Sequence, residues 1–164
     1  MAKEPKKLNE LFHDTLKDIY FAEKRILGAL PKMAKAAQSE ELRAAFEKHR
    51  GETEEQIEPL EQIFAIIEKK PQGKTCAAIV GITDEGAEIM QEYKGSPALD
   101  AGLLAAAQAV EHYEISRYGT LRTWAEELGL DDAASLLQET IEEATDEALT
   151  EIAKTAVNQE AEAA

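Results

Sequence analysis

Apolar residues recur at helical spacing through four stretches of roughly thirty residues each, and carboxylates intrude on the same faces. The first stretch runs from about Lys6 to Ala37. Its stripe is Leu8, Leu11/Phe12, Thr15/Leu16, Ile19, Ile26/Leu27 and Leu30. Pro31 removes a backbone donor and predicts a kink rather than a stop. Ser39 is the expected N-cap of a second helix from about Glu40 to Lys69. That helix carries Leu42, Ala45/Phe46, His49, Glu52, Gln56, Leu60, Ile63/Phe64 and Ile67, with a bend expected at Pro59. The run from Lys69 to Lys74, which contains Pro71 and Gly73, is the clearest breaker. A shorter helix is expected from Thr75 to about Tyr93, weakened by Gly81 and Gly86. A third long helix spans Pro97 to about Leu128, capped by Ser96 and closed by Gly129. The last begins near Asp131 and Asp132, runs to about Asn158 and frays beyond.

The links between the first and second, and third and fourth, long helices are tight, so each pair is an antiparallel hairpin. The hairpins are joined by a crossover that carries its own helix. This predicts a single all-α domain over 1–164, a ferritin-like four-helix bundle with a fifth short helix in the long crossover. Composition agrees. Ala, Leu and Glu dominate, apolar residues make up 44% and aromatics only 5%, which favours helices over strands.

With 33 acidic residues against 18 basic, the net charge is −15. So negative a surface repels phosphate backbones and anionic membranes, and it attracts cations. No apolar run is long enough to span a bilayer, and none has the form of a signal peptide. Cys76 is the only cysteine, so no internal disulfide forms, which fits a reducing cytoplasm. Phosphate-binding loops, nucleophile elbows and dinucleotide fingerprints are absent from the sequence.

The informative residues are the acids at core positions. Glu23 lies between Ile19 and Ile26. His49, Glu52 and Gln56 fill successive stripe positions between Phe46 and Leu60. Glu111 and Glu114 interrupt a stripe of Ala107, Val110, Tyr118 and Leu121. Glu142, Glu143 and Asp146 follow Leu137 and Ile141. A constant offset of 91 residues sets Glu23 on Glu114, Leu30 on Leu121, Phe46 on Leu137 and Glu52 on Glu143. Angular position relative to Ile141 and Leu149 favours Glu142 instead, so both stay open. A buried carboxylate costs several kcal/mol or more unless it is paired or metal-bound. Basic partners are nearly absent from these stripes, and two divalent cations, iron or manganese, would neutralise the cluster. His49 precedes Glu52 by three residues, whereas di-iron bundles usually place the histidine after the glutamate. His49 is therefore either a ligand or a partner that orients a carboxylate. Tyr20, Tyr113 and Tyr118 lie near the proposed site, as hydrogen-bond partners of its carboxylates or as packing. His13, His112 and Cys76 are expected outside it.

Three blocks resemble the YciE/YciF family of bacterial ferritin-like, stress-associated proteins: Leu11 to Ala37, His49 to Phe64, and above all AAAQAVEHYEISRYGTLRTWAEELG from Ala105 to Gly129. The resemblance implies a five-helix ferritin-like fold, a homodimer and a rubrerythrin-like di-metal site, with Glu23, Glu52, Glu111 and Glu114 at motif positions. It does not imply a particular reaction. Two expectations follow. The first is a redox-type metal protein meeting O2 or peroxide. The second is a metal-optional homodimer that acts by protein–protein contact without catalysis. Iron storage in a hollow cage is the weaker third.

Overall fold

The computed structural model describes residues 5–140. Five helices follow in order: α1 (Leu8–Ala36), α2 (Glu40–Ile66), α3 (Ala77–Glu92), α4 (Leu99–Glu127) and α5 (Asp131–Glu139). No strand occurs among the described residues. The expected extent of the last helix beyond residue 140 lies outside them, as do Glu142, Glu143 and Asp146.

α1 and α2 form the first hairpin. α1 runs through Pro31 and α2 through Pro59, so neither proline ends its helix. Ser39 caps α2, its side chain accepting from Leu42 N. At the far end of α2, Glu68 takes a left-handed conformation (φ 56°), and Lys69 N returns to Phe64 O at 2.9 Å. This is the helix-ending role that glycine usually fills, because a side chain there is strained. Gly129 (φ 69°) performs it after α4 as expected.

α4 begins two residues later than the sequence suggests. Pro97 and Ala98 form a turn in which Ser96 Oγ accepts from Ala98 N at 3.2 Å. The delay places Asp100 in the first turn of α4, where it reaches the α1–α2 connection. Its two carboxylate oxygens accept from Gln38 N at 2.8 Å and Ser39 N at 2.6 Å. Asp100 is buried, and it satisfies amides that no helix would otherwise pair.

The crossover is held against α1. Lys74 N bonds Lys17 O at 3.1 Å, and Arg25 donates to Thr83 Oγ1 and Asp84 Oδ1, each at 2.6 Å. α3 also lies along α4, so closely that a Cβ at Gly102 would stand 2.7 Å from Ile89 Cγ2. The core joins Leu16, Ile19, Ile26, Leu42, Phe46, Leu60, Ile63, Leu103, Leu121 and Leu137, all fully buried. Each such side chain contributes roughly 1.5–3 kcal/mol by leaving water. Leu11, expected in the α1 stripe beside Phe12, is instead 47% exposed, while Phe12 is buried.

Candidate metal centre

The helix rotations set by this core bring four ionisable side chains into the interior. α1 supplies Glu23, α2 supplies His49, and α4 supplies Glu111 and Glu114 one turn apart. Their relative exposures are 0%, 2%, 1% and 5%. One donor atom each from His49, Glu111 and Glu114 lies within 4.8 Å of the other two. His49 Nδ1 is 2.9 Å from Glu111 Oε1, and His49 Nε2 is 3.6 Å from Glu114 Oε2. Tyr118, one turn beyond Glu114, donates a 2.6 Å hydrogen bond to Glu23 Oε1.

The short separations are not matched by hydrogen-bond geometry. Although Nδ1 and Oε1 are within ion-pair distance, neither Glu111 oxygen receives a well-directed hydrogen bond. The same holds for both Glu114 oxygens, Glu23 Oε2 and His49 Nε2. Buried polar atoms are nearly always paired, so six orphans in one cluster call for a shared partner. A cation fits the donor set. Imidazole and carboxylate ligands suit iron and manganese.

The cluster holds protons tightly. Burial raises the Glu23 carboxyl well above the usual carboxylate range, and the neighbouring Glu114 charge adds to this. Glu114 is also raised by burial, with His49 opposing the shift. For His49 burial works against the charged form. The nearby acidic groups of Glu111 and Glu114, one facing each ring nitrogen, prevail and push its pKa up to about 10.

Glu52 stands apart from this group. It lies at the edge of the buried face of α2, partly exposed, with Lys48 Nζ at 2.7 Å from its Oε1. The buried face of α2 runs instead through His49, Thr53 and Gln56. Thr53 carries no periodic signal of its own, although it stands four residues after His49. Glu142 and Glu143 fall outside the described residues. His13 packs edge-on to Phe64 with ring centroids 6.0 Å apart, and His112 is exposed. Cys76 is buried with its Sγ 3.2 Å from Tyr113 Oη, and Tyr20 donates to Glu61 at 2.7 Å.

A family described as a domain of unknown function, DUF892, matches residues 7–162. Protein YciF of Escherichia coli (strain K12) is 44% identical over 160 residues, 96% of each chain. The chain belongs to the YciF family. The crystal structure of the E. coli stress protein YciF superposes with a TM-score of 0.88 at 43% identity, covering 94% of this chain and 99% of that one. YcfI from Rhodopseudomonas palustris superposes at 0.84 with 40% identity, covering 95% and 98%. A Xanthomonas campestris protein shares the fold at 19% identity, with a TM-score of 0.73 over 96% of this chain and 98% of that one. The family thus fixes the bundle and its crossover, and its description names no reaction. Among the described residues no helix is long and apolar enough to cross a membrane.

Proposed function

We propose that this protein is a cytoplasmic carboxylate–histidine metal protein of the bacterial stress response, with iron or manganese held by Glu23, His49, Glu111 and Glu114. The observation that carries the reading is the convergence of buried, unsatisfied donor atoms from His49, Glu111 and Glu114. The description of E. coli YciF as a stress protein supports the cellular setting. The reading extends to two ions, with Glu52 and either Glu142 or Glu143 as further ligands, and to a homodimer that engages neither nucleic acid nor membrane. Glu52 joins by leaving Lys48.

Iron or manganese bound there would supply one-electron chemistry toward O2 or peroxide. The chain's own contribution is distinct. α1, α2 and α4 bury the donors, Tyr118 holds one oxygen of Glu23 in place, and Glu23 and His49, whose pKa values are raised, must give up any proton they hold when an ion binds. The test is anaerobic loading with Fe(II) or Mn(II), removal of excess ion, and elemental analysis. Wild-type protein is expected to retain metal and consume peroxide, and Glu114→Ala to do neither. Wild-type protein that retains none overturns the reading.

One observation favours a second reading, a metal-optional homodimer acting through protein contacts. His49 stands 2.9 Å from Glu111 Oε1 and 3.6 Å from Glu114 Oε2, so a protonated imidazole there would itself offset part of the cluster's negative charge. Thermal melting with and without metal separates the two, because only a specific ligand of the native state raises the melting temperature. Size-exclusion chromatography measures the dimer.

A further inference from the structure

The orphaned polar atoms do not stop at the cluster. Continuing along the same face of α2, Thr53 Oγ1 and Gln56 Oε1 are also buried without hydrogen-bond partners. Thr53 is 0% exposed and Gln56 6%. His49, Thr53 and Gln56 are spaced by four and then three residues, so they stack on one helical face over about 10 Å. Gln56 in turn lines a surface recess of about 240 Å³ together with Glu52, Glu55, Pro59, Glu139 and Thr140. Three of those six residues are acids, contributed by both α2 and α5.

The geometry points to an entry path for divalent cations. It opens at the acidic mouth of Glu52, Glu55 and Glu139, passes Gln56 and Thr53, and ends at His49 and the carboxylates of α4. This rests on the metal reading above and adds to it the path by which the ion arrives. An apolar side chain of similar size at a buried position carries no polar atom that needs a partner. A polar one left unpaired costs stability, and a passing cation or its water would satisfy it. The mouth supplies the complementary field, since a cleft lined by one sign of charge concentrates counter-ions and raises their association rate. Glu52 then has a role that suits its position at the stripe edge beside Lys48: it receives the ion before the interior donors do.

The test is the rate of metal uptake, measured by rapid mixing of the full-length apo-protein with Mn(II) and following loss of the free-ion paramagnetic resonance signal. Gln56→Leu and Thr53→Val keep side-chain size and remove the polar atoms. Each is expected to slow loading by about tenfold or more while final stoichiometry and affinity stay at wild-type levels, which also shows that the variants fold. Glu55→Gln combined with Glu139→Gln is expected to slow loading at low salt and to flatten its dependence on ionic strength. Wild-type stoichiometry with rates within about twofold of wild type in all three variants overturns the entry path and leaves the metal site standing. Failure of the wild-type protein to take up Mn(II) overturns both.

Discussion

Tyr118 on α4 donates its phenolic proton to Glu23 on α1 across 2.6 Å, joining residues 95 positions apart in a fully buried pair. The bond occupies Glu23 Oε1 and leaves Oε2 without a partner. Tyr118→Phe keeps the ring and removes only the donor. Leaving a buried oxygen unsatisfied costs about 1–3 kcal/mol, and each kcal/mol lowers the melting temperature of a domain this size by about 2–4 °C. Metal affinity should also fall by about 10–100-fold, as when a partner that orients a ligand is lost. Scanning calorimetry checks the melting temperature and calorimetric titration the affinity. An unchanged affinity would show that Tyr118 serves packing alone.

Asp100 ties the start of α4 to the α1–α2 connection through the amides of Gln38 and Ser39. Hydrogen bonds to a charged acceptor are worth about 1.5–3 kcal/mol each, and the two share one carboxylate. Asp100→Ala is expected to destabilise the protein by about 2–4 kcal/mol. Asp100→Asn, which keeps one acceptor oxygen, should lose about half as much. Urea unfolding curves of the two variants decide the matter.

The pH dependence of the apo-protein follows from His49. Its folded pKa of about 10 lies above the ordinary histidine value. Its contribution to stability is therefore fully present below pH about 6.5 and is lost as pH rises through about 10. Glu23, also raised, acts with the same sign from a lower starting pH. Asp14 has the opposite sign. Hydrogen bonds from Lys17 and Lys6 lower its pKa, so its contribution is present above the ordinary carboxylate value and lost as pH falls below it. Melting temperature without metal should decline from neutral pH toward pH about 10. Metal affinity should rise over the same interval, because protons compete with the ion. Titrations in buffers of different ionisation enthalpy will read the protons released.

Two glycines inside α4 make opposite predictions. A Cβ at Gly119 meets nothing within 4 Å, whereas at Gly102 it would stand 2.7 Å from Ile89 Cγ2 on α3. Gly119→Ala should stabilise the protein by up to about 1 kcal/mol through helix propensity alone. Gly102→Ala gains the same term but forces a β-branched side chain to move, and overpacking costs about 1–3 kcal/mol. Its net effect should be destabilising. In a double-mutant cycle with Ile89→Ala, most of the cost of Gly102→Ala should disappear, because the atoms it strikes are gone.

The acids of α1 and α4 were legible in the sequence because they interrupt strong stripes. Glu23 is flanked by Ile19 and Ile26, and Glu111 and Glu114 by Ala107, Tyr118 and Leu121, all of them buried. The α2 stripe was less well defined. Its apolar residues are sparse between Phe46 and Leu60, so the face could be drawn through Glu52 or through Thr53. Successive residues turn about 100° around a helix, and that single step separates an edge position paired with Lys48 from a buried one. Asp100 gave no periodic signal. Its role depends on amides of another hairpin, which come near only after α4 has docked.

Sequence alone determined the five helices, their order, the breaker after α2, the long crossover and the presence of acids on inward faces, because propensity, capping and apolar period act within a few residues along the chain. Tertiary structure decided which acids meet. Glu23, His49, Glu111 and Glu114 converge and Glu52 stands at the edge because each helix's rotation about its own axis is set by side chains packing between helices, a constraint that no single segment contains.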